Sequence, residues 1–359
     1  MVSNAIKALQ ATRLKTALIY LSLTFSIIAI FLITSISNGI ISMYASMLKS
    51  DGDVIVTQAK ISDTFFSNVD KNLIPQIEKI KGVQKVSALI VGAAPVENLP
   101  IVAIYGSSQN RFDNYRLIQG TYPANDEVIV GKSIYTQLKN KNFIMIGDEK
   151  FSITGVYESE LGFENGGVVI SLDEAGEIFN KSASMFLINL DINSDIENIT
   201  QKINTLSPKI EAKSTTSFVD NYNQFKIINK SSYAISLIAF IMGLLGIASI
   251  MSITVNERKD EFGIMKALGI SSKRIISTLM IESSIIAIIS FASALVLAHI
   301  LLYFIKHAEA FQGYINGEIS IALSVGVFIA TILMAVLGAF IPSYQASKID
   351  PITLIQRGN

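Results

Sequence analysis

Hydrophobic and polar positions are arranged on two length scales in this chain. On the longer scale, four apolar stretches stand apart. Thr16 to Leu48, Ser231 to Asn256 and Ile319 to Ser347 carry no formal charge, and Ile275 to Ile305 carries Glu282 alone. A bilayer core about 30 Å thick needs roughly 20 apolar helical residues to cross it, and each stretch reaches that length. They predict four transmembrane helices. The first and third are longer than crossing requires: Ile275 to Ile305 would extend about 46 Å at 1.5 Å per residue. Such helices tilt or protrude, and protrusion would make a rigid stalk.

Between the first and second stretches the pattern shortens. Residues 53–57, 83–91, 101–105, 127–130, 151–154, 168–170 and 186–190 read as strands, short β-branched runs bounded by turn residues. Leu73, Ile74, Ile77 and Ile80 recur at a helical period before Gly82. Ser171 with Glu174 forms a capping-box pattern for a helix reaching Phe179, and Ile196 to Leu206 is a further helix. About 180 residues can bury a core of their own, so this segment is expected to be a separate α+β domain.

The resulting layout is 1–15 as an amphipathic N-terminal helix, 16–48 as transmembrane helix 1 and stalk, and 49–230 as the inserted domain. Residues 231–256 form transmembrane helix 2, 257–274 a connecting loop, 275–306 helix 3, 307–318 a loop, 319–341 helix 4 and 342–359 a tail. Basic residues in short loops mark the cytoplasmic side. Lys7, Arg13 and Lys15 precede the first span, and Arg258, Lys259, Lys266, Lys273 and Arg274 lie between the second and third. Both termini and the 257–274 loop are therefore expected in the cytoplasm, with 49–230 outside. The first apolar run is too long for a cleavable signal peptide and reads as an uncleaved anchor.

Composition narrows the chemistry. Among 359 residues, 29 Lys+Arg balance 29 Asp+Glu, so no nucleic-acid partner is expected. No cysteine is present, which excludes disulfides, thiolate metal sites and a cysteine nucleophile. The two histidines, His299 and His307, are too few for a His-only metal site, and no His-Glu-x-x-His pattern marks a zinc peptidase. Their spacing near the end of span three, with Glu309 close by, leaves interfacial stalk residues as the favoured reading over a metal or haem site. Gly131-Lys132-Ser133 ends like a phosphate-binding loop, but Asp126 occupies the position that needs the first glycine, so the match reads as chance.

The 257–274 loop reads Glu257-Arg258…Glu261-Phe262-Gly263-Ile264-Met265-Lys266-Ala267-Leu268-Gly269. On a helical wheel Ile264, Met265 and Leu268 share an arc of roughly 100°, the width of a buried stripe, with Phe262 just beyond it. Gly269 suits a helix end and Ser271 a new cap. Taken alone, this is a short amphipathic helix on a membrane surface. The run also resembles the cytoplasmic signature of MacB/FtsX-type ABC transporter permeases, the type VII group that includes the lipoprotein-releasing permeases. Pro342…Ala346…Lys348-Ile349-Asp350-Pro351…Leu354 is similar to that family's closing pattern, and Leu9…Arg13…Thr16 to its opening helix. Gly120-Thr-Tyr-Pro123, Glu127-Val-Ile-Val-Gly131 and Ile153-Thr-Gly-Val156 resemble its outer core domain.

The resemblance implies an α-helical membrane protein with four transmembrane helices and an inserted extracytoplasmic α/β (MacB-like periplasmic core) domain. It implies an inner-membrane permease dimer, a homodimer being favoured, in which each copy binds a cytoplasmic ABC ATPase through Glu257, Arg258, Glu261, Phe262, Gly263, Met265, Leu268 and Gly269. The chain itself would be no enzyme and hold no cofactor. ATP and Mg would act in the partner, and Gly263→Trp would uncouple hydrolysis without unfolding the chain. Export of lipoprotein, peptide or amphiphilic cargo is expected, with a periplasmic adaptor and an outer-membrane channel as possible further partners beside membrane lipid. The alternative is an FtsX-like, non-transporting force transmitter that regulates an envelope or cell-wall hydrolase. Intramembrane acids are functional suspects, but Glu282 lies about two turns beyond Arg274, which favours a structural or coupling role. Small residues on shared faces, Ala239-Gly243-Gly246 and Ser290-Ala294-Ala298, suit close helix packing within or between chains. Phe65-Phe66, in a polar segment, fits either a partner contact or the outer core.

Overall fold

The computed structural model describes residues 13–61, 63–138, 141–159, 164–308 and 317–349. Residues 1–12 of the expected helix over 1–15, the closing residues from Asp350 and most of the 307–318 loop lie outside them, while residues 13–15 open the first long helix. The chain divides into a helical unit, Met1–Ser37 with Lys230–Phe304 and Gly317–Asn359, and an α/β unit, Asn38–Asn229 with Ile305–Asn316.

Four long helices are named here with the shorter ones in chain order. They are α1 (Arg13–Asp51), α7 (Asn223–Glu257), α9 (Ser272–His307) and α10 (Ile321–Ser347). All four are long and apolar enough to cross a membrane. The 39 residues of α1 and 36 of α9 correspond to roughly 58 and 54 Å, well beyond a bilayer core. The fourth helix runs on through Pro342 to Ser347, past the expected boundary at 341.

The helical unit packs small residues inward and large ones outward. Ser283, Ala287, Ser290, Ala294 and Ala298 of α9 and Thr331, Ala335, Gly338 and Ala339 of α10 are buried. Phe25, Leu237, Ile238, Met242, Phe304 and Phe340 face outward, as suits lipid-facing side chains. Two glycines of α7 permit close approach to α1. A Cβ on Gly246 would lie 2.1 Å from Ser22 Oγ, and one on Gly243 would lie 3.0 Å from Ser26 Oγ and 2.8 Å from Met334 Sδ. Both small-residue faces singled out in the sequence thus pack within this chain.

The α/β unit is built on a mixed sheet. Its strands are β1 (Val54–Gln58), β2 (Val83–Val96), β3 (Leu99–Ser107), β4 (Arg116–Gly120), β5 (Glu127–Gly131), β6 (Phe143–Ile146), β7 (Glu149–Glu158), β8 (Gly167–Ser171), β9 (Met185–Leu190) and β10 (Ile210–Ser214). The order is β10-β1-β9-β2-β3-β8-β5-β7-β4, with β6 pairing β2 and β7. Only β3–β8 and β5–β7 are parallel among the described pairs. Alternate residues feed opposite faces. Ile55 and Val169 enter one core with Leu48 of α1 and Phe218, Tyr222 and Phe225. Val54 and Val56, and at the other end Val168 and Ile170, enter cores on the opposite face. Burial on both faces explains the continuous apolar runs in the sequence.

Short helices α2 (Ile74–Glu78), α4 (Leu172–Phe179) and α5 (Ile196–Leu206) cover the second face, while α3 (Lys132–Gln137) and α6 (Thr215–Asn221) fill connections. The capping box at Ser171 and Glu174 is present. A 3₁₀ turn, Thr64–Phe66, is clasped from two sides. Tyr44 OH of α1 is 2.8 Å from Thr64 Oγ1, and Tyr222 OH accepts from Thr64 N at 3.1 Å and donates to Asp63 Oδ1 at 2.8 Å. Phe66 on that turn is 68% exposed, so it projects from the core instead of filling it.

Candidate functional site

The site is the connection between α7 and α9, where a short helix, α8 (Lys259–Ala267), is held between charged and apolar anchors. Arg258 caps its start. It grips Glu261 with two hydrogen bonds, Nε to Oε2 at 2.7 Å and Nη2 to Oε1 at 3.0 Å. Its Nη1 donates to Glu282 Oε2 at 3.1 Å, and the guanidinium lies 5.0 Å from the Phe262 ring centroid. The planar fork of arginine suits such double engagement. The Arg258 bonds hold the Glu261 carboxyl below its ordinary range.

Three further ties fix the helix. Glu257 pairs with Lys15 of α1. Lys266 Nζ and Ser272 Oγ donate to the Ser347 carbonyl at 2.8 and 3.1 Å, satisfying an orphan acceptor at the end of α10 with a favourably placed cation. The helix stops in a Schellman turn: Ile270 N donates to Met265 O at 3.0 Å and Gly269 N to Lys266 O at 2.9 Å. Gly269 has φ +83°, a left-handed conformation that suits glycine.

The structure sorts the sequence candidates differently from the helical wheel. Phe262 is buried at 2% exposure beside Val255, Ile275, Leu279 and Ala346, and Gly263 is buried with it. Their side is the inner one, with Phe262 in the same apolar cluster as residues of the long helices. Ile264 and Leu268 are 62% and 76% exposed, and Met265 is intermediate and packed against the core. The expected buried stripe is therefore largely the outer face. A tryptophan at Gly263 would disrupt packing, so that substitution does not isolate a docking defect. Glu257 and Glu261 keep about half their side-chain surface, 54% and 53%, whereas Arg258 keeps 15% and is committed to internal partners. Glu282 is 4% exposed and faces Arg258.

Two other candidates have local partners, and Glu309, grouped with the histidines in the sequence, lies outside the described residues. Gly131 caps the six-residue α3, and Lys132 pairs with Glu158 at 3.0 Å. His299 Nδ1 is bonded to the Leu295 carbonyl on its own helix at 2.8 Å, and among the described residues no three His, Cys, Asp or Glu form a metal-binding group. The Lys15–Glu257 and Lys266–Ser347 ties escaped sequence reading because each joins segments more than 80 residues apart.

A multi-pass helical membrane protein with an inserted α/β domain and a short helix presenting Ile264 and Leu268 is the class these features define. Residues 16–206 match the MacB-like periplasmic core domain and residues 233–351 the FtsX-like permease C-terminal domain. The chain belongs to the MacB/FtsX family of ABC transporter permeases. It is 24% identical over 233 residues to an uncharacterized ABC transporter permease of Methanocaldococcus jannaschii, spanning 61% of this chain and 58% of the relative. It is 20% identical over 389 aligned positions to the macrolide export ATP-binding/permease protein MacB of Escherichia coli, spanning 97% of this chain and 59% of the relative. The chain thus spans under three fifths of the length of these relatives. Among solved structures it is similar to the periplasmic region of MacB from Actinobacillus actinomycetemcomitans, with TM-score 0.39 and 10% identity over 48% of this chain and 94% of that one. The extracellular domain of the noncanonic ABC-type transporter YknZ from Gram-positive bacteria aligns with TM-score 0.37 and 11% identity, over 45% and 100%.

Proposed function

We propose that this permease couples ATP hydrolysis by a separate cytoplasmic ATPase to movement of its α/β domain, and so exports lipoprotein, peptide or amphiphilic cargo. The carrying observation is the outer face of α8, where Ile264 and Leu268 are exposed on a helix tied down on its other side. Exposed apolar residues beside the half-exposed Glu257 and Glu261 suit a partner groove with an apolar centre and a polar rim. ATP and Mg act in that partner. In this reading the α8 loop and both termini face the cytoplasm, the α/β domain faces outward, and two copies assemble. In this reading α1, which runs from Arg13 to Asp51, carries the movement. A periplasmic adaptor and an outer-membrane channel complete the assembly where an outer membrane exists.

The test is affinity purification of the tagged chain from its native host, with the double variant Ile264→Asp/Leu268→Asp in parallel. Wild type should bring down an ABC ATPase in equal amount, and the variant should lose it at least tenfold while keeping its melting temperature. Equal ATPase recovery in both would remove α8 as the docking element. An ATPase recovered together with a cell-wall hydrolase would point instead to a force transmitter that exports nothing.

A further inference from the structure

Inside the α/β unit one guanidinium is buried with two carboxylates. Arg111 is 1% exposed, and the side chains of Asp51 and Glu164 are 3% and 2% exposed. Arg111 Nε donates to Asp51 Oδ2 at 3.0 Å, and Nη2 donates to the same oxygen. The same Nη2 reaches Glu164 Oε1 at 3.4 Å. Nη1 donates to the Tyr115 hydroxyl, and Asn114 Nδ2 holds the other Asp51 oxygen. Ser159 Oγ donates to Glu164 Oε2 at 2.6 Å. One cation is thus shared unequally between two acids.

The placement of the acids gives this sharing a use. Asp51 is the last residue of α1. Arg111 lies on the 3₁₀ turn Gln109–Asn114 after β3, and Glu164 opens the turn before β8. Asp51 and Asn114 also line a polar cavity of about 460 Å³ with Gln84, Lys85 and Asn189. A buried guanidinium left without a carboxylate is strongly unfavourable, so a single pair would resist any displacement of Asp51. Here Glu164 already touches Arg111 and can take its charge, and Lys85 is among the residues lining the cavity beside Asp51.

We propose that Asp51, Arg111 and Glu164 form a two-position latch, in which Arg111 passes from Asp51 to Glu164 as the end of α1 shifts and Asp51 turns toward Lys85. Both positions keep every buried charge paired. The latch rests on the reading that α1 carries movement to this domain. Burial raises the Glu164 carboxyl above its ordinary range, against the pull of Arg111 and Ser159. The groups facing it are Arg111, Ser159, Asp51 and the Tyr115 hydroxyl, while the Tyr157 hydroxyl donates to the Glu164 backbone carbonyl. A protonated Glu164 competes less for Arg111, so acidification favours the Asp51 position.

The experiment is hydrogen–deuterium exchange of the full chain in lipid nanodiscs, read over residues 46–52. Glu164→Gln and Lys85→Met each remove a receiving charge and should slow exchange there about threefold. Asp51→Asn removes the holding charge and should speed it about tenfold. Unchanged or faster exchange in both Glu164→Gln and Lys85→Met would overturn the latch, because a static ion cluster only loosens when trimmed. These variants are read without nucleotide. Adding the ATPase with ATP and Mg tests the transmission reading separately: an unresponsive wild type sinks that reading, while slowed exchange in the two receiving-charge variants still carries the latch.

Discussion

Arg258 carries more of the site than any other residue, because it is the only described cation paired with Glu282. Arg258→Met would leave that carboxylate, 4% exposed, without its cation, and should cost about 2 kcal/mol. Thermal melting in detergent measures this, and the double variant Arg258→Met/Glu282→Leu should recover most of the loss. Glu261 makes a pH prediction. Its carboxyl titrates lower in the folded protein, so its contribution is complete at neutral pH and fades as the pH falls through that lowered value. The acid-side drop in melting temperature should be smaller in Glu261→Gln. Individual residues were the least legible part of the sequence. The chemical types in the loop pointed to the site, but the wheel put Ile264 and Leu268 in the buried stripe and Phe262 just beyond it, whereas Phe262 is buried and the other two are exposed. Which side of a nine-residue helix is buried depends on the neighbouring helices, and its own periodicity does not contain them.

Elements were read best where the pattern had one physical cause. The long helices follow from uninterrupted apolar length, and β1, β5, β8 and β9 from burial on both faces. The strands that escaped are β4, β6 and β10. Ile118 of β4 is 49% exposed on an edge of the sheet, and Phe143 of β6 is 44% exposed. An edge strand such as β4 needs no alternating apolar face to form and leaves little trace in the sequence, while β6, paired on both sides, is only four residues long. The capping box was legible because its two side chains satisfy one another locally. Ser171→Ala should cost about 1 kcal/mol and lower the melting temperature roughly 2–4 °C. Gly246→Leu tests the opposite extreme. Its first side-chain atom would meet Ser22 Oγ at 2.1 Å, so overpacking of about 1–3 kcal/mol should reduce the yield of folded protein in size-exclusion chromatography.

At the scale of the whole molecule, the division of labour was visible in the order of apolar and mixed segments: one span, a domain, three spans. Long-range polar ties such as Arg111–Asp51 and Lys266–Ser347 were not visible, because nothing local to Arg111 or Ser347 distinguishes it from a surface residue. The clasped turn at Thr64–Phe66 has a practical consequence. Tyr44 precedes the turn on α1 and Tyr222 immediately precedes α7, so relative sliding of those two backbones would rotate the turn and change the surroundings of Phe66. The protein contains no tryptophan. Phe66→Trp would therefore install a single indole chromophore, and its emission wavelength would report that rotation optically, in real time, with no label attached.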